Sequence, residues 1–362
     1  MATTYRGNSN KFAGAALFSL NDTSANSNLR PERTTAQEGG IELSVLNDRL
    51  TFDGTYYVKK TRDQIIPLTT APATGFGFAI INAGQISNRG FETSVTARPL
   101  RLRNGLTWNT TFNYLKNKNK VDSLAPGLAT IIVASQWGAN IEARQGEPYG
   151  VLFGYGYLRD SVTGKRMTSG GLPLRDSKKR ILGNVNPDWT GGWANEVRYK
   201  SVALNVLVDF RRGGQNFSVG NWWGQYAGIL ASTLEGRQED WDKPGLIIDG
   251  IDKTTGQPNT VRVTAEDYNH TVYPIHEAAI LNTGFTKLRE VRFSWDVPER
   301  FANRVRASQL NLAFVGRNLL TWTDFPNYDP ENSTNAGNGG QGFDMGAMPT
   351  TRSFGINLTI VP

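Results

Sequence analysis

The chain has 362 residues, a formal net charge of +7, 38% hydrophobic residues, 39 glycines and no cysteine. The missing thiols exclude disulfide scaffolds, cysteine-based zinc sites and thiol nucleophiles together, and the two histidines, His270 and His276, are too few for a His-rich metal centre. No window approaches the roughly 18 consecutive apolar residues of a spanning helix, and Met1–Asn10 lacks the apolar stretch of a secretion signal.

In chain order, residues 1–30 read as a loop or an incomplete strand, with a tenth-strand candidate near Phe12–Leu20. The dominant signal afterwards is alternation with period two, which assigns one side-chain set to each face of a strand. It runs through Gly40–Val45, Leu50–Lys59 and Phe91–Arg98, and then Leu106–Tyr114, where Leu106, Trp108, Thr110, Phe112 and Tyr114 oppose Thr107, Asn109, Thr111 and Asn113. In Trp193–Lys200 the charged Glu196, Arg198 and Lys200 oppose Trp193, Val197 and Tyr199. Val202, Leu204, Val206, Val208 and Phe210 share a face against Ala203, Asn205, Leu207, Asp209 and Arg211. Phe285–Asp296, Ser308–Leu320 and Ser353–Ile360 complete the set, and no stretch shows a capped helical period. The expected fold is all-β.

Short connections at 47–49, 103–105, 200–201 and 298–306 take turns with long polar ones at 64–86, 116–188, 213–281 and 323–351. In an antiparallel meander this order puts every short turn at one end and every long loop at the other. A soluble β-sandwich alternates its inner faces equally well, but it has no reason to sort its loops. Transmembrane barrels do, with short periplasmic turns and long extracellular loops. Aromatic residues at the strand ends (Tyr56, Trp108, Tyr114, Trp189, Tyr199, Trp295, Trp322) fit interfacial girdles. The expected architecture is therefore an antiparallel transmembrane β-barrel wall.

Chemistry-bearing motifs are scarce. Gly337, Gly339 and Gly342 spell a dinucleotide fingerprint, but no helix follows them and the segment reads as a loop. His270, His276 and Glu277 lack the regular spacing of a metal site, and no metal or cofactor is expected. No nucleophile elbow or catalytic carboxylate pair occurs, so the chain does not read as an enzyme. The densest basic run, Lys178-Lys179-Arg180, reads as a solvated loop; nucleic acid is not an expected partner, and an anionic lipid surface is the second candidate. Arg317 should face the lumen and needs a carboxylate or carbonyl partner. For Asp329-Pro330-Glu331 a turn-stabilising role is favoured over a cation site.

Other signals come in a set order. Leu29-Arg30-Pro31-Glu32 precedes Glu38-Gly39-Gly40, and Asn82-Ala83-Gly84 precedes Asn88-Arg89-Gly90 and Glu92. Gly183 with Pro187-Asp188-Trp189 follows, then Phe285-Thr286-Lys287-Leu288-Arg289-Glu290 and Val297-Pro298. Gly316-Arg317-Asn318-Leu319 runs into Asp329-Pro330-Glu331, and Pro349-Thr350-Thr351-Arg352 leads the last strand. In this order, from Asn28 onward, the chain resembles the C-terminal barrel half of the SusC/RagA family of TonB-dependent outer-membrane transporters of Bacteroidota. The resemblance implies a parent barrel of about 22 strands, of which the nine or ten here would be a part. It also implies a plug domain and a TonB-contacting segment with no counterpart in these 362 residues. The implied partners are outer-membrane lipid and, for the full-length parent, a SusD-like lipoprotein and the TonB complex. The implied cargo is an oligosaccharide or peptide. The ending Ile360-Val361-Pro362 departs from the aromatic terminus usual in such barrels.

Two other functions remain open at this level: a complete small barrel acting as adhesin or pore, and a soluble carbohydrate-binding sandwich. The candidate binding residues lie in loop 213–281, where Trp222, Trp223, Tyr226 and Trp241 stand among polar residues. Aromatic faces stack on sugars and anchor interfaces. The competing reading is a small core that orders the loop.

Overall fold

The computed structural model describes residues 5–237, 245–334 and 341–362. Nine strands form one antiparallel sheet: β1 Arg33–Val45, β2 Leu50–Arg62, β3 Gln85–Arg101, β4 Leu106–Ser123, β5 Trp189–Tyr199, β6 Val202–Arg212, β7 Phe285–Asp296, β8 Gln309–Thr323 and β9 Ser353–Val361. Their spatial order equals their chain order, β1 and β9 are the edges, and the sheet is not closed on itself. A sandwich would need a second packed face, and among the described residues none covers this sheet. The β1–β2 turn is tight because Leu46, Asn47 and Asp48 all take the left-handed conformation, φ 58°, 54° and 60°, two of them residue types that tolerate it. Ser44 Oγ donates to the Asp48 carboxylate across this turn at 2.6 Å.

Cross-strand register decides the two faces. One row reads Leu43, Phe52, Val95, Phe112, Trp193, Val208, Leu288 and Leu320 from β1 to β8. The row facing the other way reads Glu42, Asp53, Ser94, Asn113, Gly192, Asp209, Lys287 and Thr321. A face apolar across eight strands with Phe314, Phe293, Leu204 and Trp193 left exposed suits only a hydrocarbon surrounding. Leaving it against water would cost roughly 25 cal/mol per Å².

The apolar band is bounded by the row Tyr199, Leu106, Val202, Trp295 near the short turns and by Tyr56, Phe91, Trp189 towards the loops. About ten residues of β4 separate these rows; at about 3.4 Å each and a tilt near 40° they rise about 26 Å, the height of a barrel's lipid band.

Three features depart from the sequence expectation. Strand β4 runs on to Ser123 and β3 starts at Gln85, so both project beyond the band into what reads as loop. The Phe12–Leu20 candidate is part of a separate hairpin, Tyr5–Phe12 against Ala15–Leu20, and among the described residues it does not join the nine-stranded sheet. Its turn, Ala13-Gly14 at φ 49° and 82°, satisfies the hairpin locally. The described parts of the long loops also carry regular structure. The second carries a four-stranded sheet, Thr130–Gln136, Ala139–Arg144, Val151–Tyr157 and Arg175–Asn184. The third carries helices α1 Val219–Tyr226 and α2 Ala265–Val272.

Candidate functional site

The second, third and fourth long loops pack into one body whose core is Ile141, Leu152, Phe217, Val219, Trp222 and Phe343. Strand Gln215–Ser218 is its spine, paired antiparallel with Ile280–Asn282 and parallel with Phe343–Asp344. Ser218 ends this strand and caps α1: its hydroxyl accepts from the Asn221 amide and donates to the buried Asp344 carboxylate at 2.6 Å. Losing such a cap costs about 1 kcal/mol.

Helix α1 presents three aromatic rings, and its geometry separates them. Trp222 is 4% exposed, stacks on Tyr273 at 4.1 Å and 12°, and donates Nε1–H to the Tyr273 carbonyl at 2.6 Å. Trp223, one residue on, lies at the rim of this core and is 42% exposed. It stands edge-on to Trp222, Trp137, Tyr273 and Tyr226 at 5.5–6.2 Å. Tyr226 is 39% exposed and stacks on His270 at 4.5 Å. Trp137, 45% exposed on the Trp137-Gly138 turn, completes the surface. Of the residues singled out in the sequence, Trp222 thus lies in the loop core, Trp223 and Tyr226 share a surface, and Trp241 lies outside the described residues. Trp137 and Tyr273 are the residues that sequence reasoning missed. Tyr273 sits beyond the helix in a loop, and Trp137 is 86 positions before Trp223; no local pattern links them.

The two histidines divide similarly. His276 is buried: its Nδ1 accepts from the Tyr155 amide at 3.1 Å, so Nε2–H faces the Trp137 carbonyl at 3.2 Å. Burial, opposed by the Trp137 bond and helped by nearby Lys179 and Arg175, pulls its pKa down to about 4. Neutral His276 thereby fixes the turn that carries Trp137. For Glu277, burial pushes the carboxyl up, but Arg159, the Tyr157 amide and Arg180 outweigh it and hold the group below its ordinary value. These side chains tie the loops together and have no free lone pair set for a metal.

Beneath the loop body the lumen wall is first a mixture of carboxamides and aliphatic groups and then charged. A cavity of about 680 Å³ is lined by Asp53, Glu92, Asn113, Asp209, Arg289 and Glu331. Further towards the loops, a second of about 700 Å³ mixes the carboxamides of Gln64, Asn88, Asn117, Asn119, Asn186 and Gln341 with aliphatic side chains that include Ile65, Ile86, Ile132 and Val185. A bulge between Leu288 and Glu290 turns Lys287, Arg289 and Glu290 all to the lumen side, as bulges do. Lys287, 2% exposed, donates to Asp329 and Glu331 at 2.6 Å each. Arg289 binds Asp209 at 2.6 Å and also Glu331, while Thr350 Oγ1 donates to Asp329 at 2.7 Å. Burial raises both loop carboxyls, yet the Lys287 and Arg289 bonds hold them below their ordinary values. The Asp329-Pro330-Glu331 segment therefore spends its carboxylates on clamping the last loop to β7. Arg317 meets Glu290 at 2.8 Å, the partner its position demanded.

The profile of the family described as TonB dependent receptor-like, beta-barrel matches residues 2–242. The chain belongs to this family of TonB-dependent receptor β-barrels. It is 25% identical to TonB-dependent receptor P3 of Formosa agariphila over 93% of its own length and 35% of that protein's. Over 28% of the chain it is 31% identical to the TonB-dependent receptor SusC of Bacteroides thetaiotaomicron, covering 10% of that receptor. The RagAB peptide transporter structure superposes on 99% of the chain and 38% of its own, with a TM-score of 0.73 at 18% identity, which supports the fold. The receptor wall thus lies in the outer membrane, and the chain spans about a third of the length of the curated relatives it matches.

Proposed function

We propose that this chain is wall and extracellular cover of a TonB-dependent importer that takes up an oligosaccharide or peptide, with a SusD-like lipoprotein at the cell surface. The observation that carries the reading is the exposed Trp137, Trp223 and Tyr226 surface, held by a buried core above a lumen lined first with carboxamides among aliphatic groups and then with charge. Aromatic rings stack on the apolar faces of sugars and fill hot spots of protein interfaces. Carboxamides offer paired donors and acceptors to hydroxyls or peptide groups. The plug and energy supply would come from the rest of the receptor.

The test is made in the intact receptor. Trp223→Ala with Tyr226→Ala should weaken ligand or lipoprotein binding about tenfold, with heat-dependent gel mobility unchanged. Binding and uptake both at wild-type level in that double variant would remove the aromatic surface from the mechanism. A receptor that passes solutes without TonB, or that mediates only attachment, would instead support the pore or adhesin reading.

A further inference from the structure

Beyond the lipid band, the outward face of β2–β4 changes character. The outward parity of β4 continues past Tyr114 as Lys116, Lys118 and Lys120, with Asn117 and Asn119 facing the lumen. In register with these lie Arg89 on β3 and Lys60 on β2, with Arg62 one step higher. All six are exposed, and none forms an ion pair among the described residues. Arg89 sits directly opposite Lys118, and Arg33 directly opposite Arg62. Like charges in opposed positions destabilise a sheet unless an anion lies between them. The carboxylate on this face, Asp122, accepts from Gln85 and Ser87, and Arg62 donates to Gln85 at 3.0 Å.

Height identifies the anion. Lys116 is level with the girdle residues Tyr56 and Phe91, and from there to Lys120 the strand climbs about 10 Å by the same rise and tilt. That is the layer in which membrane headgroups lie. We propose that this outward face binds the phosphate-bearing headgroups of glycolipids in the outer leaflet. A basic patch at headgroup height gains affinity for anionic lipid with each Lys or Arg, and phosphate oxygens between Arg89 and Lys118 relieve their repulsion. The inference rests on the outer-membrane placement of the chain and not on the cargo or on the aromatic surface.

The experiment uses the intact receptor purified in detergent, with bound phosphorylated glycolipid counted by native mass spectrometry and add-back titrated with lipid A. The triple variant Lys116→Gln, Lys118→Gln, Lys120→Gln should lose affinity roughly fivefold per removed charge. The triple Lys→Arg variant should keep it, and lipid A stripped of phosphate should fail to bind wild type. Arg89→Gln alone, a milder change, should lose a similar single step if the triple variant loses its heat-dependent gel shift. Undiminished lipid binding in folded Gln variants would overturn the proposal. So would displacement of the lipid by an equal concentration of inorganic phosphate, which marks a plain anion site. Release of an acidic protein by the Gln variants, with lipid content unchanged, would assign the face to that protein.

Discussion

His276 shows how one buried ring can set a pH limit. Its pKa of about 4 lies below the ordinary 6.5, so the unfolded chain binds a proton more readily than the folded one between these values. Stability contributed by neutral His276 is complete above pH 6.5 and is lost as pH falls towards 4, about 3 kcal/mol in all. His276→Gln should flatten the stability curve of the loop body between pH 4.5 and 6.5, as measured by proteolysis of the loops. The carboxyl of Glu277 is held below its ordinary value, so the stability it contributes is present above the ordinary carboxylate range and is lost only as the pH falls through the acid end. Lys287 is a harsher case. Its ammonium is buried against Asp329 and Glu331, and breaking a buried pair by removing one partner costs about 3–5 kcal/mol. Lys287→Met should free loop 324–352 to protease, whereas Arg317→Met, on an exposed pair, should change little. A Lys287→Met receptor with an intact last loop would remove the clamp from the account.

At the scale of elements, parity makes the sharpest demand. On β6, Leu204, Val206 and Val208 point to lipid and Asn205 to the lumen. Arg at any of the first three should cost about 2–4 kcal/mol near the midplane, and Asn205→Arg much less; equal costs in folding titrations of the receptor would refute the assignment. Helix α1 makes a second demand: Trp222→Ala removes a buried ring from the loop core and should cost about 3–5 kcal/mol there, while Trp223→Ala should leave loop protection unchanged. All nine strands were legible in the sequence, because lipid on one side and water on the other enforce strict alternation over the band. Legibility ended where that contrast ends. Lys116–Lys120 alternates Lys with Asn, polar on both faces, so the upper part of β4 looks like loop although its pairing with β3 is continuous from Lys116 to Val121. The loop body was hidden for another reason: its short strands pair across more than a hundred residues, as Phe217 does with Phe343. The division of Trp222 from Trp223 follows from one helical step and needed the helix to be seen.

For the whole molecule, the decisive property is that its two ends differ. Every connection at one end is a turn or a short crossing such as 102–105, and every connection at the other builds the loop body. Among the described residues the sheet stays open, with β1 and β9 unpaired along their outer edges, which lipid does not tolerate; in the membrane those edges need partners. Under the proposed importer reading the long-loop end faces outward, because that end carries the exposed Trp137, Trp223 and Tyr226 surface. The absence of cysteine makes this directly testable, because any introduced thiol within this chain is unique. Val162, at an exposed turn of the second long loop where Asp160 binds the Val162 and Thr163 amides, is the outer probe. Asn104, in the β3–β4 turn, is the inner one. In intact cells Val162→Cys should react with a membrane-impermeant maleimide within minutes, and Asn104→Cys only after the outer membrane is permeabilised. Leu204→Cys, facing hydrocarbon, should react with neither protocol until detergent is added. The opposite pattern at Val162 and Asn104 would invert the receptor in the membrane, and the lipid-headgroup patch and the aromatic surface would both be on the wrong side.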